Sequence, residues 1–323
     1  MSRTIIPAWA IEIGGRDLGQ MYEVQVTSSR RFEPDRCEIR VPWTPELELI
    51  EEGSLVTCSL GNAEIGLGIV FYGQFRMIER EGSVAKLVSL DALEKLKGAS
   101  FTGGWKEGSS LASACDEVLS VAGLLGMPYD PDGATLPGDF TASEADAWDT
   151  LQKLLEIRGW DCWVVPGGEG VYFGPRWPYL IGGLVQERVF AFDLKSNEVY
   201  DARIERKSEP IYQSCVVYQY DGAFSGAETI VGTAGEGEPQ LVIRRAGTAK
   251  QAEVIALAED ELASANSGRV KGTIVAPLNP FILHSHIIRV EEEGVSEPIP
   301  VSSIKYRLSA SSGSEMEVEI EGE

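Results

Sequence analysis

Histidine and the common catalytic motifs are scarce in this sequence. His284 and His286 are the only two histidines among 323 residues. A Ser-His-Asp or Cys-His catalytic arrangement would have to use one of them, and neither a GxSxG turn nor a papain-like cysteine context is present. The phosphate-binding signatures GxxxxGK(S/T) and GxGxxG after a strand are also missing. We therefore predict that the protein is not an enzyme and binds no cofactor.

Cysteine is present but too dispersed to build a framework. The five cysteines are odd in number, include no CxxC pair, and lie at Cys37, Cys58, Cys115, Cys162 and Cys215. This spacing argues against a disulfide framework and against a zinc site. We predict reduced, mostly buried side chains that act as small hydrophobic groups.

A metal site is the alternative interpretation of the two histidines. On a strand, positions i and i+2 face the same way, so His284 and His286 would both point toward one ion. No acid or cysteine nearby in the sequence supplies a convincing third ligand. We therefore prefer an ordinary polar strand face and predict no metal site.

Long apolar runs and positive charge are also lacking. No stretch reaches the roughly 18 apolar residues of a membrane span, and the N-terminus lacks the apolar core of a signal peptide. We expect folding in a cytoplasm and no membrane insertion. Fifty acids against 28 Lys and Arg give a net charge of −22. Such a charge repels phosphate backbones, which predicts no tight nucleic-acid binding.

Acids and tryptophans are plentiful enough to suggest sites by coincidence. Asp146, Asp149 and Glu156 lie on one predicted helix, where a solvated face or compensation of the helix dipole explains them better than a glycosidase pair. Among the seven tryptophans, we assign Trp148, Trp160 and Trp163 to the core. An exposed Trp105 or Trp177 would instead suit a carbohydrate platform.

The stretch 143–175 is the clearest local unit in the chain. Ser143 followed by Asp146 predicts a helix start, and Gly159 predicts its left-handed end. An apolar stripe lies between them at Trp148, Leu151, Leu154 and Leu155. A hairpin follows, with predicted strands at 160–165 and 171–173 and a turn at 166–170. This unit is too small to fold alone, so we place it between two β-rich regions.

Period-two alternation of apolar and polar residues predicts strands on both sides of that unit. The predicted strands cover residues 9–13, 22–26, 37–41, 55–60, 69–78, 84–90, 189–194, 202–206, 214–220, 270–275, 282–290, 300–308 and 315–320. The Gly-, Glu- and Thr-rich residues 222–239 predict a long exposed loop. Two more helices are expected. One opens at Ser109 and buries Leu111, Cys115, Val118 and Ala122, and the other covers about 248–266 and buries Val254, Leu257, Ala258, Leu262 and Ala265.

We therefore predict an α+β, mostly β protein with three domains. Residues 1–98 form a first small β-barrel domain, 99–180 a small α/β module, and 181–323 a second β-barrel domain with one helix inserted before the last strands. No internal sequence repeat accompanies this order.

These elements, taken in order, resemble the baseplate hub proteins of contractile phage tails, the late control protein D family, and the N-terminal hub part of type VI secretion spike proteins. The resemblance begins at Phe32, Asp35 and the strand that ends at Val41. It continues through the segments EEGSLVTCSLG (51–61), FYGQFRMIEREG (71–82), SLDAL (89–93), SSLASACDEVLSVAGL (109–124), AWDTLQKLLEIRGWDCWV (147–164), VYFGP (171–175) and AEVIALAEDELA (252–263). The resemblance thus spans nearly the whole chain and depends on order and spacing.

The resemblance implies a homotrimeric ring that joins a six-fold tail tube to a three-fold spike around a channel for DNA. The implied partners are the tail tube protein, a central spike protein and other baseplate proteins. The implied location is the virion tail baseplate, after assembly in the host bacterial cytoplasm. Because the sequence stops at Glu323, we expect the spike to be a separate polypeptide. Aromatic residues favour interface centres, so Trp177 and Tyr179 are our predicted interface residues.

Two alternatives remain open at this point. A carbohydrate- or receptor-binding tail component would expose Trp105 or Trp177 to a glycan. A peptidoglycan-degrading enzyme would use two acids.

Overall fold

The computed structural model describes residues 6–29, 32–130, 132–165, 170–175, 190–194, 199–206, 212–220, 229–246, 251–266, 270–284, 286–292, 295–310 and 313–322. Strands dominate these residues, and helices are few, so the predicted α+β, mostly β class is confirmed.

The strands of the first segment are β1 Pro7–Ile13, β2 Arg16–Asp17, β3 Glu23–Ser29, β4 Arg36–Pro42, β5 Leu55–Asn62, β6 Gly66–Glu81 and β7 Val84–Leu90. The middle segment contains β8 Ser100–Trp105, α1 Leu111–Val121, β9 Gly126–Pro128, β10 Phe140–Asp146, α2 Ala147–Glu156, β11 Asp161–Val164 and β12 Val171–Gly174. The last segment contains β13 Phe190–Asp193, β14 Asp201–Arg206, β15 Ser214–Tyr220, β16 Thr229–Gly235, β17 Gln240–Ala246, α3 Gln251–Asn266, β18 Val270–Pro277, β19 Ile287–Glu292, β20 Val295–Ser309 and β21 Gly313–Gly322.

One large sheet unites strands from both ends of the chain. Its main path runs β14-β18-β21-β20-β3-β4-β7-β6-β5-β1-β2, with β19 joined to β20 and β13 joined to β19. Seven of its thirteen strands come from residues 7–90 and six from residues 190–322. The two halves meet where β3 and β20 pair antiparallel from Glu23↔Ser309 to Ser29↔Ser303.

This pairing corrects the expectation of two closed barrels. Among the described strands, the hydrogen-bonded order does not return to its starting strand in either half. The physical reason is that an edge strand of each half pairs with the other half, so neither half closes on itself. The predicted domain boundaries at 98 and 180 remain a prediction.

The main core lies on one face of this sheet. Alternate residues such as Val24, Val26, Cys37, Ile39 and Val41 are buried there, as their period-two pattern predicts. Residues of the last segment complete the same core, with Ile304, Tyr306 and Val318 among them. All five cysteines are free and buried, which confirms their predicted role as small hydrophobic groups.

The α/β module has its own core, formed by α1, α2 and short strands. Ser110 caps α1, since its side chain accepts a hydrogen bond from the Ser113 N–H at 3.2 Å. The predicted start of α2 at Ser143 is wrong. The helix begins after Asp146, whose carboxylate accepts the N–H groups of Trp148 and Asp149. Ser143 belongs instead to β10, because that segment pairs with β8.

The end of α2 and the following hairpin agree with the sequence. Gly159 adopts a φ of +59°, the left-handed conformation that glycine allows at a helix end. Strands β11 and β12 then pair antiparallel from Asp161↔Gly174 to Val164↔Val171. The residues 166–169 of the predicted turn lie outside the described residues.

A third, smaller unit includes part of the predicted exposed loop at 222–239. Residues 229–235 of that loop are strand β16, which pairs with β15, while 221–228 lie outside the described residues. Helix α3 packs on β16 and β15 and buries Val254 and Ala258. The predicted apolar stripe is wrong at Ala265, which is exposed near the helix end. Positions 248–250 of the predicted helix lie outside the described residues.

Two 3-10 helices complete the architecture, at Pro45–Leu49 and Ala92–Leu96. Asp91 caps the second one, since its carboxylate accepts the Leu93 N–H at 2.9 Å. None of the helices in the described part of the chain has the length and apolarity that crossing a membrane requires.

Candidate functional site

The predicted interface residues Trp177 and Tyr179 lie in 176–189, outside the described residues. The functional surfaces must therefore be sought among other residues.

The two histidines do not lie side by side on a strand, because β19 begins only at Ile287. His284 contacts Trp163 edge to face, with 5.3 Å between ring centroids. His286 accepts the Leu283 N–H at 3.2 Å and stacks near Phe190 at 6.3 Å. The described residues contain no group of three or more His, Cys, Asp or Glu side chains arranged to hold a metal ion.

His284 instead belongs to a polar cluster that we call the acid junction, formed by Ser28, Asp35, Asp91, His284 and Tyr306. The Ser28 hydroxyl donates to Asp35 Oδ2 at 2.6 Å and lies 2.9 Å from His284 Nδ1. The donor and acceptor roles of Ser28 Oγ and His284 Nδ1 depend on the tautomer of the imidazole ring. The Tyr306 hydroxyl donates to the Ile282 carbonyl.

Asp35 and Asp91 are joined through the backbone. The Asp35 N–H donates to Asp91 Oδ2 at 2.9 Å, and the Asp91 N–H donates to the Asp35 carbonyl at 3.0 Å. The Ser29 N–H donates to Asp35 Oδ1 at 3.1 Å. The cluster thus ties together the end of β3, the entry to β4, the start of the second 3-10 helix, the segment before β19, and β20.

Burial dominates the acid–base behaviour of the junction. Asp35 is partly exposed as a residue, but its carboxyl group points inward. This burial raises the pKa of Asp35 to about 7, although the hydrogen bonds from Ser28 and Ser29 act to lower it. Burial, followed by the nearby Asp35 charge, raises the pKa of Asp91 well above its usual range. Burial also raises the pKa of Tyr306, and it lowers the pKa of His286 to about 4.

This geometry holds segments together and does not suit catalysis. In a Ser-His-acid triad the imidazole lies between the other two groups, whereas here Ser28 lies between Asp35 and His284. The adjoining cavity measures about 30 Å³, which is room for roughly two water molecules at most. A substrate does not fit there.

The other candidate residues have structural contacts. Asp146 caps α2, and Glu156 accepts from the Gln152 amide at 3.0 Å. Trp160 and Trp163 are buried, while Trp148 stacks on Phe32 with 3.9 Å between centroids. Trp105 stacks on Phe101 at 5.4 Å, and its indole N–H donates to Glu117 at 2.8 Å. Trp105 is therefore part of an aromatic cluster and does not form an open glycan platform.

The outward face of the large sheet is charged over most of its width. Cross-strand ion pairs there include Lys86–Glu38 at 3.0 Å, Lys271–Glu321 at 2.9 Å and Arg307–Glu23 at 2.6 Å. Antiparallel sheets with one solvated face normally show this polarity. The strands β3, β4, β7, β20, β21 and β18 therefore present a surface adapted to water.

At the β1–β5–β6 end the same face is richer in small and aliphatic side chains, and Glu12 of β1 is exposed there. The small and aliphatic side chains come from cross-strand partners in register: Ala8 and Leu67 flank Gly61, and Ala10 and Ile69 flank Ser59. We call Ile65, Leu67 and Ile69 the apolar ridge; they are 40%, 44% and 45% exposed. Glu64 is the only charged residue between Glu52 and Arg76.

A second apolar surface lies between β6 and the α/β module. This module groove has a volume of about 300 Å³. Leu55, Tyr72, Leu124, Leu125 and Val171 provide much of its wall, and Lys95 is the one charged side chain among its described lining residues. Leu125 at its rim is 67% exposed. The ridge and the groove are therefore apolar surfaces suited to contact another protein.

Sequence reasoning did not identify the acid junction or either apolar surface. Asp35 and His284 are 249 positions apart, and the β3–β20 pairing helps to bring their segments together. The one usable local signal is Asp91, since an acid directly before Ala92–Leu96 is a typical helix cap.

No family model and no curated protein sequence matches this chain. Solved structures do match over nearly its whole length. A tail protein from Neisseria meningitidis MC58 is 13% identical, with 98% of this chain and 97% of that chain covered and a TM-score of 0.73. The 43 kDa tail protein of prophage MuSo2 from Shewanella oneidensis is 13% identical, with coverages of 97% and 98% and a TM-score of 0.72.

A third match is the E. coli c3393 protein, described as a type VI secretion component with structural similarity to the T4 bacteriophage tail proteins gp27 and gp5. It is 9% identical, with 96% of this chain and 76% of that chain covered and a TM-score of 0.62. At such identities the likeness is one of fold. The fold of this chain is that of phage tail proteins and related type VI secretion proteins, which agrees with the resemblance to baseplate hubs.

Proposed function

We propose that this protein is a structural hub of a phage tail baseplate or of a related contractile injection apparatus, and that it acts without catalysis. The observation that carries the proposal is the full-length likeness to the Neisseria meningitidis tail protein, with 98% and 97% of the two chains covered. The likeness to a type VI secretion component described as similar to gp27 and gp5 favours the same class of machine.

The hub acts as a homotrimeric ring that joins a six-fold tail tube to a three-fold spike. Each chain contributes two sheet halves, so three chains bring six halves around one axis. Closed rings use head-to-tail interfaces, and this arrangement allows a trimer to present a pseudo-six-fold surface. The tail tube protein, a central spike protein and other baseplate proteins are the partners of this ring.

The acidic composition suits a channel through which DNA passes. A net charge of −22 disfavours adhesion to a polyanion, so DNA can move along the ring without being retained. We place the protein in the virion tail baseplate, after assembly in the host bacterial cytoplasm.

Two observations weigh against the alternative functions. Trp105 packs within an aromatic cluster, which is unlike a glycan platform. Asp146 serves as a helix cap, and the cavity at the acid junction holds little more than water, which argues against a lytic site built on these acids.

The decisive experiment measures the molar mass of the purified full chain by light scattering coupled to size exclusion, over a wide concentration range. We expect a mass near three times 35.1 kDa, and a ring with a central opening in electron micrographs. A chain that stays monomeric at high concentration and fails to bind purified tube or spike protein would refute the hub.

A further inference from the structure

The acid junction lies where the α/β module meets the large sheet. Asp35 lies directly before β4 of the sheet, and His284 lies in the segment before β19. Asp91 precedes the second 3-10 helix, whose Leu93 and Leu96 belong to the core of the module. The junction thus joins two parts of the chain that have separate cores.

Two aromatic contacts accompany the junction. Trp163 of β11 meets His284 edge to face, with 5.3 Å between ring centroids. Trp148 of α2 stacks on Phe32, which lies between β3 and β4, with 3.9 Å between centroids. The junction and these two contacts hold the module against the sheet.

The cavity at the junction is too small to hydrate an ionised carboxylate. It measures about 30 Å³, which is room for roughly two water molecules at most. Its module side is formed by Val164 and Val165, and none of its described lining residues is Lys or Arg. Ser28 and Ser29 donate hydrogen bonds to Asp35, but a buried charge with little water and no paired cation is costly.

The ionisable groups around Asp35 come from each element packed on the junction. They are Asp91 and Glu94 at the 3-10 helix, Asp161 and Cys162 of β11, Tyr72 of β6, His284 before β19 and Tyr306 of β20. Glu94 is paired with Lys97 at 2.9 Å. Burial raises the pKa of Asp91, and the Asp35 charge raises it further, so ionisation of Asp35 makes that of Asp91 harder.

We infer that the acid junction is a pH-sensitive clasp, which holds the module on the sheet while Asp35 is protonated and opens when Asp35 ionises. The sheet side is fixed by the β3–β20 ladder, in which Ser28 lies opposite Ile304. The module side consists of apolar contacts, so water reaches Asp35 when Val164 and the rest of that side move away. The inference concerns the single chain and does not depend on the hub proposal.

Hydrogen exchange of the folded, full-length chain at pH 6 and 8.5 tests the clasp. The N–H groups of Ser29, Asp35 and Leu93 donate to the junction carboxyl groups, so their exchange reports opening. The pKa of Asp35 is about 7 in the closed junction and about 3.9 in water. After correction for the intrinsic pH dependence of exchange, the opening constant should therefore be about tenfold larger at pH 8.5. Peptides covering Ile39 and Leu87, on the paired strands β4 and β7, should show no such increase.

Asp35→Asn removes the ionisation, so its corrected opening constant should be the same at both pH values. Asp17→Asn, in the exposed strand β2, is the matched control and should behave as the wild type. Equal pH dependence in Asp35→Asn and the wild type would overturn the clasp. A wild-type opening constant that is unchanged between pH 6 and 8.5 would also overturn it, and this result needs no variant.

An increase that extends to Ile39 and Leu87 would be unfolding of the whole sheet and would overturn the clasp as well. None of these results depends on the mass of the assembled protein, which tests the hub proposal separately.

Discussion

At the residue scale, the two carboxyl groups of the acid junction, Asp35 and Asp91, have raised pKa values. Asp35 and Asp91 exchange backbone hydrogen bonds, and Ser28 links Asp35 to His284. Buried carboxylates are stabilised by hydrogen-bond donors but penalised by loss of water, and here burial is the larger effect on both pKa values. The junction is therefore most stable when protonated.

We predict that Asp35→Asn reduces the loss of stability that accompanies rising pH. The pKa of Asp35 is about 7 in the folded chain and about 3.9 in an unfolded chain. Between these values the folded state holds a proton that the unfolded state has released. The unfolding free energy of the wild type therefore falls as pH rises toward 7, by at most about 1.4 kcal/mol per pH unit from this group.

Urea unfolding at several pH values from 4.5 to 8, at constant ionic strength, measures this effect. The stability of Asp35→Asn relative to the wild type should increase with pH and level off above 7. Asp17→Asn, in the exposed two-residue strand β2, is the control and should follow the wild type. Parallel pH profiles for Asp35→Asn and the wild type would show that Asp35 ionises normally.

The junction also marks the limit of sequence reasoning at this scale. Local patterns identified Val24, Val26 and Ile39 as core residues because period-two alternation depends only on neighbouring positions. Asp35 and Asp91 have no such pattern. Their environment arises from burial by distant segments, which no local window contains.

At the scale of elements, tertiary contacts decide the cases in which local signals fail. Ser143 is a good helix cap by composition, but its segment pairs with β8, and Asp146 caps α2 instead. Residues 229–235 have a loop-like composition partly because they include Gly232. A glycine is needed at this position because the backbone of α3 lies directly against it. The helices and the hairpin 161–174 were predictable because capping and periodicity are local.

We predict that Gly232→Ala separates α3 from its sheet. A Cβ atom at Gly232 would lie 2.2 Å from the Val254 carbonyl oxygen, which is backbone of α3 and cannot rotate away. Overpacking of this kind costs roughly 1–3 kcal/mol. Thermal or urea unfolding should report this loss, together with faster hydrogen exchange in α3.

Gly19→Ala is the matched control for that substitution. A Cβ atom at Gly19 meets no atom within 4 Å, so its stability should stay within about 0.5 kcal/mol of the wild type. Equal stability of the two variants would mean that α3 does not pack closely on β16.

At the scale of the whole molecule, the pairing of β3 with β20 is the feature that sequence alone did not predict. Both halves were predictable as strand-rich regions, but period-two patterns do not specify which edge strands meet. Two closed barrels and one continuous sheet bury the same alternate residues, so the run of short strands from which the barrels were predicted does not distinguish the two arrangements. The sequence did not predict the apolar ridge and the module groove for a related reason. An aliphatic residue on a strand is ordinarily assigned to a core.

The net charge gives a prediction for the assembled molecule. In the proposed trimer, three chains of −22 each repel one another. Salt shortens the distance over which this repulsion acts, from about 10 Å at 0.1 M to about 3 Å at 1 M. The apolar ridge and the module groove are apolar surfaces on which such a trimer can form contacts. Raising the salt concentration should therefore strengthen trimer formation.

Light-scattering dilution series at 0.05 M and 0.5 M NaCl test this expectation. The concentration at half dissociation should fall several-fold at the higher salt, because screening weakens the repulsion between acidic chains and leaves apolar contacts in place. A homotrimer held by many ion pairs would show the opposite trend. Dissociation at 0.5 M NaCl would thus assign the interface to the charged part of the sheet face, away from the apolar ridge.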